Sequence, residues 1–206
     1  MKINKVAVIG AGLMGSGIAA QVANAGFPVT LLDIVPDGAT NRNVIAESAV
    51  RKMLKPVKLG SPAPLMHKKN AKLITTGNID DNLDFIKDAD LIIEVVLERL
   101  DVKHDVFSKI QKHRKKGSIV TSNTSTIPRE QLVKGMSESF AKDFMITHFF
   151  NPPRYLRLLE IVSGSEVSSD KVQIVSDFCD INLGKEVVVC NDTPGFIGNR
   201  IGTYWT

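Results

Sequence analysis

Short apolar blocks recur along the chain, separated by longer amphipathic stretches. "KVAVIG" (5–10) has the length and composition of a strand, and "LMGSGIAAQVANAG" (13–26) reads as a helix closed by Gly26. "PVTLLD" (28–33) is a second strand, rich in Val and Leu. A long polar–apolar helix is expected from about 38 to 55, broken by the three prolines of "PVKLGSPAP" (56–64). A second short helix leads to a third strand in "AKLITTG", and "LIIEVV" is a fourth. "LDVKHDVFSKIQKHR" (100–114) is an amphipathic helix, and "GSIVTSN" (117–123) is a fifth strand. Strands that are apolar on both faces and alternate with helices imply an α/β, mostly parallel sheet covered on both sides. The handedness of crossovers makes this a doubly wound fold.

After residue 140 the rhythm changes. "DFMITHFF" and "RLLEIV" are strands joined only by "NPPRY" and one further residue, a connection that suits an antiparallel hairpin. "KVQIVSDFCDIN" is a helix, "KEVVVC" a last strand, and "DTPGFIGNR" carries a Pro-Gly turn into the start of another helix. The expected organisation is a nucleotide-binding domain over 1–190 and the beginning of a further helical domain over 191–206. A helix with no room left to pack points to a longer parent chain.

Candidate chemistry starts at the glycines. Gly10-Ala11-Gly12-Leu13-Met14-Gly15 follows a strand and opens a helix, the context in which GxGxxG binds a dinucleotide. The first glycine permits the tight turn, the second lets backbone approach a pyrophosphate, and the third allows close packing of helix on strand. The free N–H groups of the helix start favour phosphate. The pattern asks for an acid at the end of the second strand, and Asp33 is there to accept from the adenine ribose hydroxyls. It would repel a 2′-phosphate, and no arginine follows before Arg42, so NAD is favoured over NADP. Strand ends on the same edge nominate "EVVLER", with Glu98 and then Lys103, and "TSNTST", with Ser125. Glu98 and Lys103 also read as solvated helix-start charges, and Ser125 as a cap for the helix after Pro128.

Of four histidines, His67, His104 and His113 fall in polar helices and read as surface residues. His148 ends an apolar strand, and Glu160 sits inside another. A carboxylate in an apolar strand needs a partner. A hairpin centred on Arg154 sets the two directly opposite, with β-carbons about 5 Å apart. The carboxylate would then fix the imidazole tautomer and favour imidazolium, making His148 a general base for an alcohol proton beside NAD. A buried ion pair holding the hairpin together is the other reading. Asn199 in "GFIGNR" is a candidate uncharged donor to a carbonyl.

Composition narrows the partners. The chain has 206 residues, a formal charge of +4 and no apolar run near the ~20 residues that span a bilayer. Its N-terminus lacks signal-peptide features. Aromatic residues are not interleaved with the basic ones, which argues against nucleic acid. Lysine clusters at 51–58, 67–72 and 112–116 fit either solvated faces or an anionic small molecule. Cys179 and Cys190 form no CxxC pattern and are expected as buried free thiols in a reducing compartment, the cytoplasm.

These motifs together resemble the 3-hydroxyacyl-CoA dehydrogenase family, specifically its NAD-binding domain. The resemblance rests on "VIGAGLMGSGIA", "IIEVVLERLDVK", "SNTSTI", "HFFNPPRYLRLLEIV" and "DTPGFIGNR", in the family's order over nearly the whole chain. "NPPRY" looks like the dehydrogenase portion of the long multifunctional β-oxidation proteins, which also carry an enoyl-CoA hydratase domain. The resemblance implies oxidation of (3S)-3-hydroxyacyl-CoA to 3-oxoacyl-CoA with NAD. His148 matches the base, Glu160 its paired acid, Ser125 the serine at substrate and nicotinamide, and Asn199 the asparagine near the acyl group. Gly10 through Gly15 and Asp33 match contacts to the NAD pyrophosphate and ribose, and Glu98, Lys103 and Asn151 match further cofactor contacts. Ser48 and Lys55 fall near positions that touch coenzyme A. The family continues past "DTPGFIGNR" into a helical domain that closes over the acyl chain and makes a homodimer. The 206-residue chain alone is therefore expected to bind NAD and turn over acyl-CoA poorly. Two alternatives stand beside this. One is an NAD-binding structural protein of the lens-crystallin type. The other is a different NAD-dependent hydroxy-acid or sugar-nucleotide dehydrogenase, a class that lacks "HFFNP" with its spaced glutamate.

Overall fold

A computed structural model describes residues 1–56 and 62–204. Eight strands form one sheet in the order β3-β2-β1-β4-β5-β6-β7-β8. They are β1 (Val6–Ile9), β2 (Val29–Asp33), β3 (Ile74–Asn78), β4 (Leu91–Glu94), β5 (Ile119–Ser122), β6 (Phe144–Phe149), β7 (Leu158–Ser163) and β8 (Glu186–Cys190). The first six run parallel, β7 runs antiparallel to β6, and β8 returns parallel to β7.

The sheet is covered on both faces because its strands alternate between two cores. Val6 and Val8 pack in one, with α1 (Leu13–Asn24), α2 (Val44–Met53) and α6 (Ser169–Asp177) supplying Ile18, Ala46 and Val175. Ala7 and Ile9 pack in the other. There α3 (Leu100–His113), α4 (Arg129–Val133) and α5 (Glu138–Ala141) bring Phe107, Leu132 and Phe140. Burial on both sides explains why the parallel strands read as unbroken apolar runs.

Three local expectations change. The helix expected over 38–55 is only Val44–Met53. Gly38 has φ +68°, and the Asn41 side chain accepts from the Asn43 amide, so this segment satisfies its backbone as turns. The proline-rich break falls partly on residues 57–61, outside the described residues. The short helix before β3 is a 3-10 turn, Lys68–Leu73. His104 and His113 are half-buried on α3, each bonded to a backbone carbonyl, and exposed His67 precedes that 3-10 turn rather than lying in a helix. Both cysteines are buried and free. Burial pushes the Cys179 thiol up to about 12 and the Cys190 thiol up to about 11, the latter with the Glu160 charge beside it. Among the described residues no helix is long and apolar enough to cross a membrane.

The strand order reverses at β1, with β2 on one side and β4 on the other. The carboxyl ends of β1, β2, β4, β5 and β6 therefore share one edge, and the crevice there is where doubly wound sheets take their ligands.

Candidate active site

The turn after β1 is built for close approach. Gly10 has φ +108°, and a Cβ on it would lie 2.5 Å from the Val95 carbonyl oxygen; a Cβ on Gly15 would overlap the Gly10 carbonyl. Helix α1 thus sits tightly against β1 and β4. At Gly12 a Cβ would meet nothing within 4 Å, so backbone faces open space where the chain enters α1. The helix has no side-chain N-cap and no acid in its first turn, leaving its N–H groups and dipole to an anion. Ala11 is buried, Leu13 exposed and Met14 half-buried around that opening. Asp33 at the end of β2 accepts from the Ala11 amide at 2.5 Å and from the Ile34 amide at 2.7 Å. Each carboxylate oxygen keeps acceptor capacity for a ribose hydroxyl. Arg42, the next arginine in the chain, is committed to Asp81 at 2.6 and 2.9 Å. The turn and its acid fit an NAD ribose and pyrophosphate.

On the same edge, β6 and β7 pair with His148 opposite Glu160. His148 Nδ1 lies 2.7 Å from Glu160 Oε2, with both side chains buried. Glu160 Oε1 accepts from the amides of Ile197, at 3.0 Å, and Gly198, at 2.7 Å. The glutamate therefore links the hairpin to the start of α7 (Gly198–Tyr204). A carboxylate with an imidazole and two amides is fully compensated for its burial. Nδ1 is occupied, and Nε2 has no hydrogen-bond partner among the described residues. Phe150 and Phe196 pack on the imidazole, with ring centroids 4.5 and 5.7 Å away. Phe196 holds this place at φ +47°, a conformation that costs a bulky residue energy.

A second polar cluster lies at the ends of β4 and β5. Glu94 is wholly buried and accepts from Lys103 Nζ at 2.9 and 3.1 Å, Ser122 Oγ at 2.5 Å and the Val96 amide at 2.7 Å. Burial pushes its carboxyl above the ordinary carboxylate range against the pull of Lys103. Lys103 Nζ also lies 3.2 Å from Glu98 Oε2. Glu98 Oε1 gathers the loop after β5, accepting from Thr124 Oγ1 and the Ser125 and Thr126 amides at 2.5, 2.9 and 3.1 Å. Burial works against ionisation of Glu98, but these donors and Lys103 hold it below the usual range. The Ser125 carbonyl accepts from Asn199 Nδ2 at 3.2 Å.

The sequence of the family described as "3-hydroxyacyl-CoA dehydrogenase, NAD binding domain" matches residues 5–193. The chain belongs to this family. A Deinococcus radiodurans protein named as a probable 3-hydroxyacyl-CoA dehydrogenase is 48% identical over 204 residues, covering 99% of this chain and 58% of that protein. A Bacillus subtilis protein of the same name is 47% identical over 216 residues, covering 98% of this chain and 27% of that protein. The crystal structure of FadB2 from M. tuberculosis superposes with a TM-score of 0.82 at 28% identity, covering 98% of this chain and 68% of that one. The chain thus spans little more than half, or about a quarter, of the two relatives' lengths.

Within this NAD-binding domain the residues singled out from sequence do not all come together. Gly10, Gly12, Gly15 and Asp33 meet at the turn after β1, where Asp33 accepts from the Ala11 amide; on the same sheet edge His148 pairs with Glu160, Glu160 accepts from the Gly198 amide, and the neighbouring Asn199 donates to the Ser125 carbonyl. Lys103 departs from both expected roles. It is 1% exposed, so it is not a solvated helix-start charge, and its ammonium faces two carboxylates rather than the crevice. Ser125 does not cap α4, because Asp192 accepts from the Arg129 and Glu130 amides there. Asn151 is exposed at the start of the hairpin connection. Ser48 is half-buried and accepts from Arg51, and Lys55 is exposed just beyond α2. Both lie apart from the two polar clusters. Sequence reasoning missed Glu94, although the argument applied to Glu160, a carboxylate in an apolar strand, applies equally to "LIIE". It also missed Phe196, whose left-handed backbone has no signature beyond its place after Pro-Gly.

Proposed function

We propose that this chain is the cofactor half of an enzyme that oxidises (3S)-3-hydroxyacyl-CoA to 3-oxoacyl-CoA, as in fatty-acid β-oxidation. The observation that carries the reading is the buried His148–Glu160 pair at 2.7 Å, on the same sheet edge as the glycine turn and Asp33. NAD+, when bound, supplies the acceptor for the carbinol hydride. His148 donates Nδ1–H to Glu160, so Nε2 carries the lone pair that takes the hydroxyl proton. Glu160 then stabilises the imidazolium. The Ser125 hydroxyl, with no hydrogen bond to the described residues, orients the alcohol, and the Asn199 amide polarises the acyl carbonyl.

Ser48 and Lys55 are assigned to coenzyme A. Residues 191–206 are assigned to a following helical domain that covers the acyl chain and makes a homodimer, in a cytoplasmic protein that can also carry a hydratase domain. The greater length of the relatives supports that assignment, as do the exposed Ile197, Ile201 and Tyr204 around α7. The test is NAD reduction by the full-length protein with (3S)-3-hydroxyacyl-CoA. Turnover is expected, and the His148→Ala variant should lower kcat by about 10²–10⁴-fold. Equal turnover by that variant would overturn the reading.

A further inference from the structure

Between them, Phe196 to Asn199 touch His148, Glu160 and the Ser125 loop. The Phe196 ring packs on the His148 imidazole, with centroids 5.7 Å apart. The Ile197 and Gly198 amides donate to Glu160 Oε1 at 3.0 and 2.7 Å. Asn199 Nδ2 donates to the Ser125 carbonyl at 3.2 Å.

The backbone that allows this is strained at one residue. Gly195 has φ +77°, which glycine takes freely, but Phe196 follows it at φ +47°. A bulky side chain is unfavourable there, and such a conformation persists only where its surroundings dictate it. Here they do. Asp192 fixes the segment ahead of Phe196 by accepting from the Arg129 and Glu130 amides at 2.8 and 3.0 Å. The Phe196 amide donates to the Thr193 carbonyl at 2.9 Å, and Glu160 holds the two amides that follow. Glycine would fit this backbone without strain, so what the phenylalanine adds is its ring.

That ring lies against a dry ion pair. Phe196 is 2% exposed, and the His148 and Glu160 side chains are 7% and 1% exposed. Phe150 covers the imidazole as well, and packs so closely on the start of α7 that a Cβ on Gly198 would lie 2.7 Å from its ring. Without the Phe196 ring a cavity would open beside a carboxylate and an imidazole, and polar walls admit water. Water there would weaken the Nδ1–H to Oε2 bond, which a dry surrounding strengthens. An imidazole held less firmly swings Nε2 away from the alcohol.

We propose that Phe196 is a positioning residue: its ring keeps water from the His148–Glu160 bond and so holds His148 Nε2 toward the substrate alcohol. The role given to Nε2 rests on the function proposed above.

The test uses the full-length protein, isotope-labelled at its histidine ring nitrogens, and compares Phe196→Gly and Phe196→Leu with the parent. A buried imidazole N–H held by a carboxylate gives a far-downfield proton signal, visible only while its exchange with water is slow. The parent should show this signal, assigned to His148 by its loss in His148→Ala. Phe196→Gly keeps the backbone angle without the ring. It should broaden the signal and lower kcat by about 10–100-fold, the scale of a misplaced reacting group. KM and the dissociation constant for NAD should stay within about threefold of the parent's. Phe196→Leu keeps an apolar wall and should restore the signal and most of kcat. In a folded Phe196→Gly variant, either readout left as in the parent would overturn the proposal. So would equal losses in Phe196→Leu, or a parent without the signal. Should Phe196→Gly not fold, Phe196→Asn also tolerates a left-handed backbone and removes the ring, and the same outcomes apply to it. If the parent turns over no 3-hydroxyacyl-CoA, the proposed function fails, while the imidazole signal still decides whether Phe196 shields the pair.

Discussion

Two carboxylates, Asp33 and Glu160, carry the specificity and the chemistry proposed for this chain. Asp33 stands alone at the end of β2, and the nearest following arginine is tied up by Asp81. A hydrogen bond to a charged acceptor contributes about 1.5–3 kcal/mol, so Asp33→Ala should weaken NAD binding on the order of 10–100-fold. The loss against NADP should be smaller, and fluorescence titration with both reduced cofactors checks it. Glu160 serves His148 and two amides at once. In Glu160→Gln the amide cannot stabilise an imidazolium, so kcat should drop by about 10²–10⁴-fold. Cofactor affinity should hold, because Glu160 touches none of the glycine turn; steady-state kinetics beside an NADH titration separates the two effects.

At the scale of elements, the close contacts decide where side chains can go. Gly15→Ala would drive a methyl group into the Gly10 carbonyl and push α1 off β1. Overpacking of this kind costs about 1–3 kcal/mol, a drop of roughly 2–10 °C in melting temperature for a chain of this size. Calorimetry would measure it, and NAD binding should weaken in parallel. The hairpin connection has its own anchor in Lys185, buried ahead of β8, which donates to the carbonyls of Pro153 and Leu156. Among the described residues no carboxylate pairs with it, and burial pulls its ammonium down from 10.5 to about 8. Below pH 8 both folded and unfolded chains hold the proton, and the fold bears the full cost of the buried charge. Between about 8 and 10.5 the unfolded chain binds more protons, so this residue makes stability rise with pH. A Lys185→Met variant should lack that rise, by up to about 1.4 kcal/mol per pH unit, in denaturant melts taken across this range.

On the scale of the whole molecule, the sheet brings parts from distant stretches of sequence to one edge, and α7 starts there with Ile201 and Tyr204 exposed. On the proposed function, in which a following helical domain covers α7, residues 1–206 alone should bind NAD within about threefold of the full-length protein, yet give far lower turnover and a greater tendency to self-associate. Titration, kinetics and light scattering on both forms test this together.

Much of this was legible in the order of residues. The parallel strands announced themselves because burial on both faces forces unbroken apolar runs, and the glycine turn with Asp33 marked its crevice because strand, turn and acid come at set intervals. Even the His148–Glu160 register followed from hairpin symmetry about Arg154. The sequence by itself therefore determined the sheet, the glycine turn with its acid and the His148–Glu160 pairing, since each depends on local period or short spacing. Only the tertiary structure decided that Lys103 is buried between two acids, that Glu98 gathers the Ser125 loop, and that Phe196 packs on His148 at a left-handed backbone angle. Those features arise where separate strand ends meet. A charged side chain looks the same in sequence whether it faces water or a buried partner, and only the fold supplies the partner.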